Sequence, residues 1–360
     1  MKEGTNLSLR LKEVREFYQT SHRALPWRET DDPYAIWISE IMLQQTRVEA
    51  VIGYYHRFLD ALPDVWHLAN AEEETVLKLW EGLGYYSRAR NLQRAAKIIC
   101  ELYEGRMPQT YEELLKLPGI GEYTAGAIAS IAFSESVPAV DGNVLRIISR
   151  LTGDDTPIDL PAQKKKITRM LLDAFPEEGG GETNQALMEL GATVCLPVGR
   201  PKCENCPWQD VCVAKRDELW QELPKKLPKK NRREENWTVI CLLTEEGETV
   251  LTRRPEKGLL AGMWQFPMLS GHLSLPEIQK QLSSLGLFVD EGEILPQANH
   301  IFTHITWQMQ GVLFRITDAS LPDGWERVNL SGLQEGHPMP GAQSVYRLLV
   351  TDLMASFSKK

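Results

Sequence analysis

Residues 117–143, LPGIGEYTAGAIASIAFSESVPAVDGN, constrain this chain more than any other stretch. Leu117-Pro118-Gly119-Ile120-Gly121 predicts a tight apolar turn. A short helix around Tyr111–Lys116 precedes it, and a longer helix follows with Ala125, Ile128, Ala129 and Ala132 on its packed side. Helix, glycine-bracketed hairpin, helix is suited to gripping one DNA strand. Gly119 and Gly121 let the backbone come close, and the second helix offers N–H groups at its N-terminus to a phosphate, with no sequence information. Further on, Val140-Asp141-Gly142-Asn143 opens another helix. A Pro-Gly-x-Gly turn alone is often only a turn, and an Asp in this place often only an N-cap. Together, at this spacing, they predict a hairpin that holds a backbone while Asp141 faces a nucleotide.

The chain ahead of this stretch reads as helical. Leu9–Thr20 is amphipathic. Arg23-Ala24-Leu25-Pro26-Trp27-Arg28 has large side chains and no period. Asp32 caps, and Pro33 begins, a helix through Leu43 that is apolar nearly all round and therefore buried. Glu40 is the exception in it. With Ile36, Trp37 and Leu43 three or four residues away, its carboxyl is desolvated and holds a proton near neutral pH, unless a buried Arg pairs with it. Gln44-Gln45-Thr46-Arg47 follows, with Thr46 expected to cap Val48–Ala61 and Asn70 to cap Ala71–Trp80. The turn Glu81–Arg88 leads into a helix, Tyr85–Tyr103, carrying Arg88, Arg90, Arg94 and Lys97, either a solvated face or a DNA-facing edge. Helices are expected at Val144–Thr152, Pro161–Phe175 and Thr183–Val194, with no convincing strand alternation in the first 220 residues.

Of the 6 cysteines, Cys195, Cys203, Cys206 and Cys212 crowd into one loop, a spacing that signals metal more than disulfides. Four thiolates can bind zinc or an iron–sulfur cubane. Structural zinc usually takes two close pairs, and here Cys203 and Cys206 alone form one, which favours iron–sulfur. Arg200 and Lys202 beside them can contact phosphate. Cys100 and Cys241, in apolar segments, read as buried packing residues.

Residues 223–236, rich in proline and like charges, read as a linker. Beyond them the period changes. Trp237–Leu243 and Thr249–Thr252 flank a Glu-Glu-Gly turn as a hairpin. An amphipathic helix near Pro276–Leu285, strands near Ile305–Ile316 and a closing helix from Ala342 to about Ala355 complete an α+β domain. Asn299–His304 breaks the alternation ahead of Ile305 and is expected to be a loop. Exposed Phe302 among His300, Thr303 and His304 offers a ring to stack or wedge and donors and acceptors for a base edge.

At 360 residues the chain has room for two or three domains. No apolar run is long enough to span a bilayer, and the charged N-terminus lacks a signal peptide's apolar core, so a cytoplasmic location is expected; a monomer, on the nucleoid when bound to DNA, is expected as well. A formal charge of −9 does not advertise DNA binding, which must then rely on a local basic surface.

The hairpin, Asp141, Ser39-Glu40-Ile41-Met42-Leu43-Gln44-Gln45-Thr46 and the four-cysteine loop together resemble the helix-hairpin-helix DNA glycosylases related to endonuclease III, and in detail the adenine DNA glycosylases of the MutY type. The resemblance covers most of the chain. It implies an all-α body, 1–222, made of a six-helix barrel part at about 24–133 and an iron–sulfur part at 1–23 and 134–222. The linker 223–236 then leads to a Nudix-like recognition domain, 237–360. Gly258–Pro267 resembles the corresponding Nudix segment, but the glutamate run that binds Mg²⁺ does not follow it, so this domain is expected to bind rather than hydrolyse. The implied substrate is double-stranded DNA with adenine opposite 8-oxoguanine or guanine. The implied roles are Glu40 as the acid at adenine N7, Asp141 as stabiliser of the sugar cation, and Tyr123 and Asn143 as their assistants. Trp27, Arg28, Leu43, Gln185 and Met188 line the adenine pocket. Gln44, Gln45, Thr46 and Tyr85 lie along the DNA, with Gln45 and Tyr85 probing the opposite base. The family carries a [4Fe–4S] cluster on a loop like Cys195–Cys212. This chain has 7 residues between Cys195 and Cys203, one more than is usual. Lyase relatives place an attacking lysine where this chain has Tyr123, so no Schiff base forms there. The family's Phe-Ser-His loop for the oxidised guanine corresponds to Phe302-Thr303-His304. A thymine-glycol type glycosylase and a non-enzymatic iron–sulfur DNA-binding or redox module are the alternatives. The C-terminal domain and Tyr123 argue against the first, and Glu40 with Asp141 against the second.

Overall fold

The computed structural model describes residues 6–228, 231–316 and 320–357. In chain order the first helices are α1 (Leu7–Ser21), α2 (Pro33–Leu43), α3 (Val48–Ala61), α4 (Val65–Asn70), α5 (Glu73–Leu79), α6 (Ser87–Tyr103) and α7 (Tyr111–Leu114). They are followed by α8 (Glu122–Phe133), α9 (Gly142–Thr152), α10 (Pro161–Ala174), α11 (Gly180–Thr193) and α12 (Val213–Arg216). Then come β1 (Arg233–Thr244), β2 (Thr249–Arg253), β3 (Trp264–Gln265), β4 (Met268–Ser270), α13 (Leu275–Ser284), β5 (Glu293–Ile294), β6 (Ala298–Ile301), β7 (Ile305–Ile316), β8 (Trp325–Val328) and α14 (Ser344–Phe357). No strand precedes β1 among the described residues, and no helix among them is long and apolar enough to cross a membrane.

The chain forms two compact units, Met1–Ala71 with Asn91–Pro228, and Glu72–Arg90 with Lys229–Lys360. The division falls inside the expected linker, of which Lys229 and Lys230 lie outside the described residues. Glu72–Arg90, expected in the helical body, folds instead with the second unit. Lys78 Nζ donates to the Gln334 carbonyl at 2.7 Å, the Trp264 indole to Glu74 at 3.1 Å and Arg90 to the Ala261 carbonyl at 2.5 Å, while Glu81 pairs with Arg347.

In the first unit α2 is buried from Tyr34 through Met42, as its all-round apolar sequence requires. Asp32 caps it through the Tyr34 N–H at 3.0 Å. Gly181 lets α11 close on α8, since a Cβ there would lie 2.5 Å from the Ser130 carbonyl oxygen. A second part of the core joins Leu11 and Val14 of α1, Val144, Ile147, Ile148 and Leu151 of α9, Ile167 and Leu171 of α10, and Leu187 and Leu190 of α11 to Trp208 in the cysteine loop. Two expected caps are corrected. Arg47, not Thr46, occupies the N-cap of α3, with no side-chain bond. Asn70 ends the short helix α4, which Asp64 caps through His67 N–H at 2.9 Å, and α5 begins three residues later behind Glu72. Cys100 is half-buried, its thiol donating toward the Val65 carbonyl at 3.7 Å, whereas Cys241 is buried as expected.

The second unit is built on one mixed sheet with the path β3-β2-β1-β7-β5, to which β4, β6 and β8 add by pairing β1, β7 and β2. β1 and β2 form the expected hairpin, and β1 runs parallel to β7 from Arg233↔Ile305 to Thr244↔Ile316. Alternate residues of β1 face opposite cores. Val239, Cys241 and Leu243 pack with Tyr346, Val350 and Met354 of α14, and Ile240 and Leu242 with Ile278 and Leu282 of α13.

Candidate active site

The helix-hairpin-helix is formed as its sequence predicts. Gly119 takes φ +80° in the turn, where a Cβ would also strike Asn91 at 2.6 Å. Gly121 is the N-cap of α8, and its carbonyl receives the Ala125 N–H at 2.9 Å. Two residues into α8, Tyr123 turns its hydroxyl toward α2 and donates to Glu40 Oε2 at 2.9 Å, with Met188 Sδ of α11 as a second contact at 3.6 Å.

Glu40 is 5% exposed, and the predicted shift is present. Burial pushes its carboxyl up to about 7. The Tyr123 hydroxyl opposes this, the Asp141 charge adds to it, and Arg28 opposes it again. Burial, with the Glu40 charge next, raises the Tyr123 phenol well above its ordinary range, so Tyr123 is a donor throughout the physiological range. Asp141 is the N-cap of α9, accepting the Val144 N–H at 2.8 Å and the Asn143 amide at 2.7 Å. Burial raises its carboxyl above the ordinary range, while the Val144 and Asn143 donors and the Arg146 charge pull it back. Two carboxyls thus sit in each other's field, one held by a phenol and the other by a helix N-terminus and an amide.

Of the other predicted residues of the first unit, Met188 reaches Tyr123 and the Arg28 charge acts on Glu40, while others have partners of their own. Trp27 is buried edge-on to Tyr55, with ring centroids 5.5 Å apart. Arg28 lies over the Tyr18 ring at 5.3 Å and donates to Glu189 at 2.8 Å. Gln185 accepts from the Tyr18 hydroxyl at 2.7 Å. Leu43 and Gln44 close α2, with the Gln44 amide on Thr124 Oγ1 at 3.2 Å and Thr46 Oγ1 on the Gln44 carbonyl at 3.4 Å. Gln45 takes φ 59° and Tyr85, in the second unit, φ 48°, left-handed conformations that cost a non-glycine residue on the order of 1 kcal/mol or more and that cluster at functional sites.

The resemblance to endonuclease III-like folds is matched by comparison with known proteins. Residues 38–177 match the HhH-GPD superfamily base excision DNA repair protein family and residues 238–346 the NUDIX domain family. Human adenine DNA glycosylase is 36% identical over 364 residues, an alignment covering 82% of this chain and 65% of the human protein. The adenine DNA glycosylase of Buchnera aphidicola subsp. Acyrthosiphon pisum is 32% identical over 301 residues, covering 83% of this chain and 84% of its own. This chain belongs to the adenine DNA glycosylase family. The structure of a thermostable thymine-DNA glycosylase superposes on 59% of the chain with a TM-score of 0.54 and 29% identity, and covers 97% of that protein. The chain spans less than two thirds of the human relative's length.

This adenine DNA glycosylase family member also uses residues that its sequence did not single out. Glu189, with a side chain 0% exposed, pairs with both Arg23 and Arg28. Burial works against its charge, yet the Arg23 and Arg28 guanidiniums hold its carboxyl below its ordinary range. Arg146 and Arg150 are 6% and 4% exposed. Arg146 donates to Asn143 Oδ1 and to the Cys195 carbonyl, each at 2.9 Å. Arg150 straps the Leu196, Trp220 and Leu223 carbonyls, each at 2.8 Å, and reaches Cys195 Sγ at 3.3 Å. The signal was present in Asn143, Arg146 and Arg150, spaced along one face of α9. Of Arg88 and Arg90, expected on a solvated face or a DNA-facing edge, Arg88 instead braces the turn before it and Arg90 pairs with Glu73 at 2.8 Å. Arg88 donates to the Leu83 and Gly84 carbonyls at 3.1 and 3.0 Å.

Cys195, Cys203, Cys206 and Cys212 line one cavity with Leu190, Val194, Trp208 and Trp220. Among the described residues no group of three or more His, Cys, Asp or Glu is arranged to hold a metal ion. Burial pushes the Cys206 thiol up to about 12 and raises Cys203 and Cys212, so these sulfurs are thiols here, and a cation bound among them would take their protons' place. Between Cys195 and Cys203 the loop reaches the surface, where Gly199 has φ +76° and Val198 is 83% exposed.

In the second unit His300 and Phe302 to His304 do not form a simple loop. His300 lies on β6, paired with Trp307, and Phe302–His304 make the tip of the β6–β7 hairpin. The sequence Ala298–Ile301, only four residues of mixed polarity and none of them buried, hid this strand. Thr303 Oγ1 lies 3.1 Å from the Tyr85 hydroxyl.

Proposed function

We propose that this protein removes adenine mispaired with 8-oxoguanine or guanine from double-stranded DNA by hydrolysing the N-glycosidic bond. The Tyr123–Glu40 hydrogen bond, in the field of a capped Asp141, carries the proposal. Burial keeps the proton on Glu40 near pH 7 while Tyr123 holds the carboxyl in place, and Asp141 is supported as an anion, the division that an oxocarbenium-like transition state requires. The helix-hairpin-helix holds the strand, and the adenine flips into the pocket of Trp27, Arg28, Leu43, Gln185 and Met188. Glu40 gives its proton to N7. The bond electrons then leave with the base, and Asp141 stabilises the sugar cation. Water adds at C1′ and its proton returns to the Glu40 carboxylate. Asn143 holds Asp141 in place. Tyr123 offers no amine, so the reaction ends at an abasic site with the strand largely intact.

Gln45 and Tyr85 enter the gap beside the opposite base. The hairpin tip, with His300, Phe302, Thr303 and His304, reads that base, and the Tyr85–Thr303 contact supports two probes converging on one edge. The methyl of Thr303, in place of the usual serine, narrows the fit. Cys195, Cys203, Cys206 and Cys212 would hold a [4Fe–4S] cluster, which supplies four iron–thiolate bonds that close their loop. The protein acts as a monomer in the cytoplasm, on the nucleoid when bound to DNA. Single-turnover assays on duplexes with adenine opposite 8-oxoguanine, adenine opposite guanine, or thymine glycol test this function. Cleavage of the first two and not the third is expected, and preference for thymine glycol overturns it.

A further inference from the structure

The tip carrying Phe302 and Thr303 is braced by a cluster that base removal does not use. Glu235 of β1 stands opposite Trp307 of β7 in the parallel register. Its carboxylate accepts the Trp307 indole N–H at 2.9 Å and the Trp237 indole N–H at 3.3 Å, and pairs with Arg233 at 2.5 Å. Trp307 is 1% exposed. Phe302 meets its ring edge-on, with centroids 4.9 Å apart and planes at 71°. The Arg254 guanidinium lies over the same indole at 5.3 Å, and His300 meets Phe302 at 4.6 Å. The tip's backbone is held as well. Phe302 N–H donates to the Ile305 carbonyl at 2.8 Å, Arg232 Nε to the Phe302 carbonyl at 3.2 Å and Arg233 N–H to the His304 carbonyl at 3.0 Å.

Charge-assisted hydrogen bonds are short, directional and stronger than neutral ones. An indole tied by its N–H to a carboxylate has a fixed plane, and an aromatic ring packed on that plane has a fixed tilt. Burial works against the Glu235 charge, yet its bonds to Trp307, Arg233 and Trp237 hold the carboxyl below its ordinary range, so it is ionised at neutral pH. We infer that Glu235, acting through Trp307, is a positioning residue for lesion selectivity, setting the tilt of Phe302 and with it the place of the Thr303 hydroxyl. The inference rests on the hairpin tip being the part that reads the opposite base. Glu235 touches no substrate and its role lies wholly in where the tip stands.

The test is the ratio of single-turnover excision rates for adenine opposite 8-oxoguanine and opposite guanine. Glu235→Leu lowers the ratio about ten-fold, the effect of losing one charge-assisted bond, and leaves the adenine–guanine rate unchanged. Trp307→Phe, which keeps a ring and loses the N–H, gives a similar drop, and the double variant drops no further because both remove the same bond. Glu235→Gln retains an acceptor and restores most of the ratio. If Glu235→Leu does not fold, Trp307→Phe decides the matter. A merely structural role would lower both rates together and leave the ratio fixed, which overturns the inference, as would additive losses in the double variant. Phe302→Ala separates the two levels. If it leaves the ratio intact, the tip does not read the base. If it collapses the ratio while Glu235→Leu and Trp307→Phe keep it, the tip reads and Glu235 does not position it.

Discussion

Replacing Glu40 with Gln should stabilise the protein above neutral pH while abolishing base removal. The glutamine keeps the shape of the site, and its amide oxygen can still accept the Tyr123 hydroxyl that lies 2.9 Å from Glu40 Oε2. It cannot ionise and has no proton to give. Burial raises the Glu40 carboxyl from 4.5 to about 7. A group raised in the folded state contributes its full stabilisation below its unfolded value, and that contribution is lost as pH rises through the folded one. Stability that depends on Glu40 is therefore intact below about pH 4.5 and lost through about pH 7. A shift of this size corresponds to about 3 kcal/mol well above pH 7, at roughly 1.4 kcal/mol per pH unit. In a unit of this length the gain is worth roughly 5–10 °C in melting temperature. Thermal unfolding of both proteins at pH 5 and pH 9 measures it. The variant should gain on the native protein between the two values, and single-turnover excision by the native protein should fall as pH rises through 7. A variant no more stable than the native protein at pH 9 would mean that Glu40 is already an accommodated anion, and the proton-donor argument would fail.

Other outcomes follow from the same structure. Borohydride should trap little covalent enzyme–DNA adduct, and Tyr123→Lys should raise trapping; efficient trapping by the unmodified protein would mean that another lysine attacks the sugar. Anaerobically purified protein should be brown, with iron in the ratio of one [4Fe–4S] cluster per chain, whereas stoichiometric zinc would refute the cluster. Phe302→Ala combined with Thr303→Ala should cut the preference for adenine opposite 8-oxoguanine by roughly 1–3 kcal/mol, the worth of one or two hydrogen bonds to a base edge, as the ratio of single-turnover rates reports. These substitutions are cleaner than deleting 229–360, because deletion also removes the partners of Glu72–Arg90 and so the support of Tyr85.

Much of the site was legible because its residues are anomalous where they stand. Glu40 is a carboxyl in an apolar helix, and Asp141 caps a helix just beyond a Gly-Ile-Gly hairpin. α2, the β1–β2 hairpin and the strand β7 follow directly from apolar period and turn residues. What stayed hidden depends on partners far along the chain. Glu189 reads as an ordinary residue of α11 until Arg23 and Arg28 are seen to reach it from more than 160 residues away. Arg88 and Arg90 look like a solvated face because a sequence cannot show carbonyls folding back onto them. β6 is four residues of mixed polarity with none buried, so its pairing with β7 leaves no mark in the period. Short helices such as α4 depend on one cap and give too few residues for periodicity to register.

On the proposed mechanism this site releases adenine as a free base and stops there. The most direct measurement is chromatographic detection of adenine, together with strand integrity, after one turnover on a duplex carrying adenine opposite 8-oxoguanine at neutral pH. Stoichiometric free adenine, with strand breaks appearing only after alkali, is the predicted result. No adenine released, or breaks formed without alkali in step with base loss, would contradict the account.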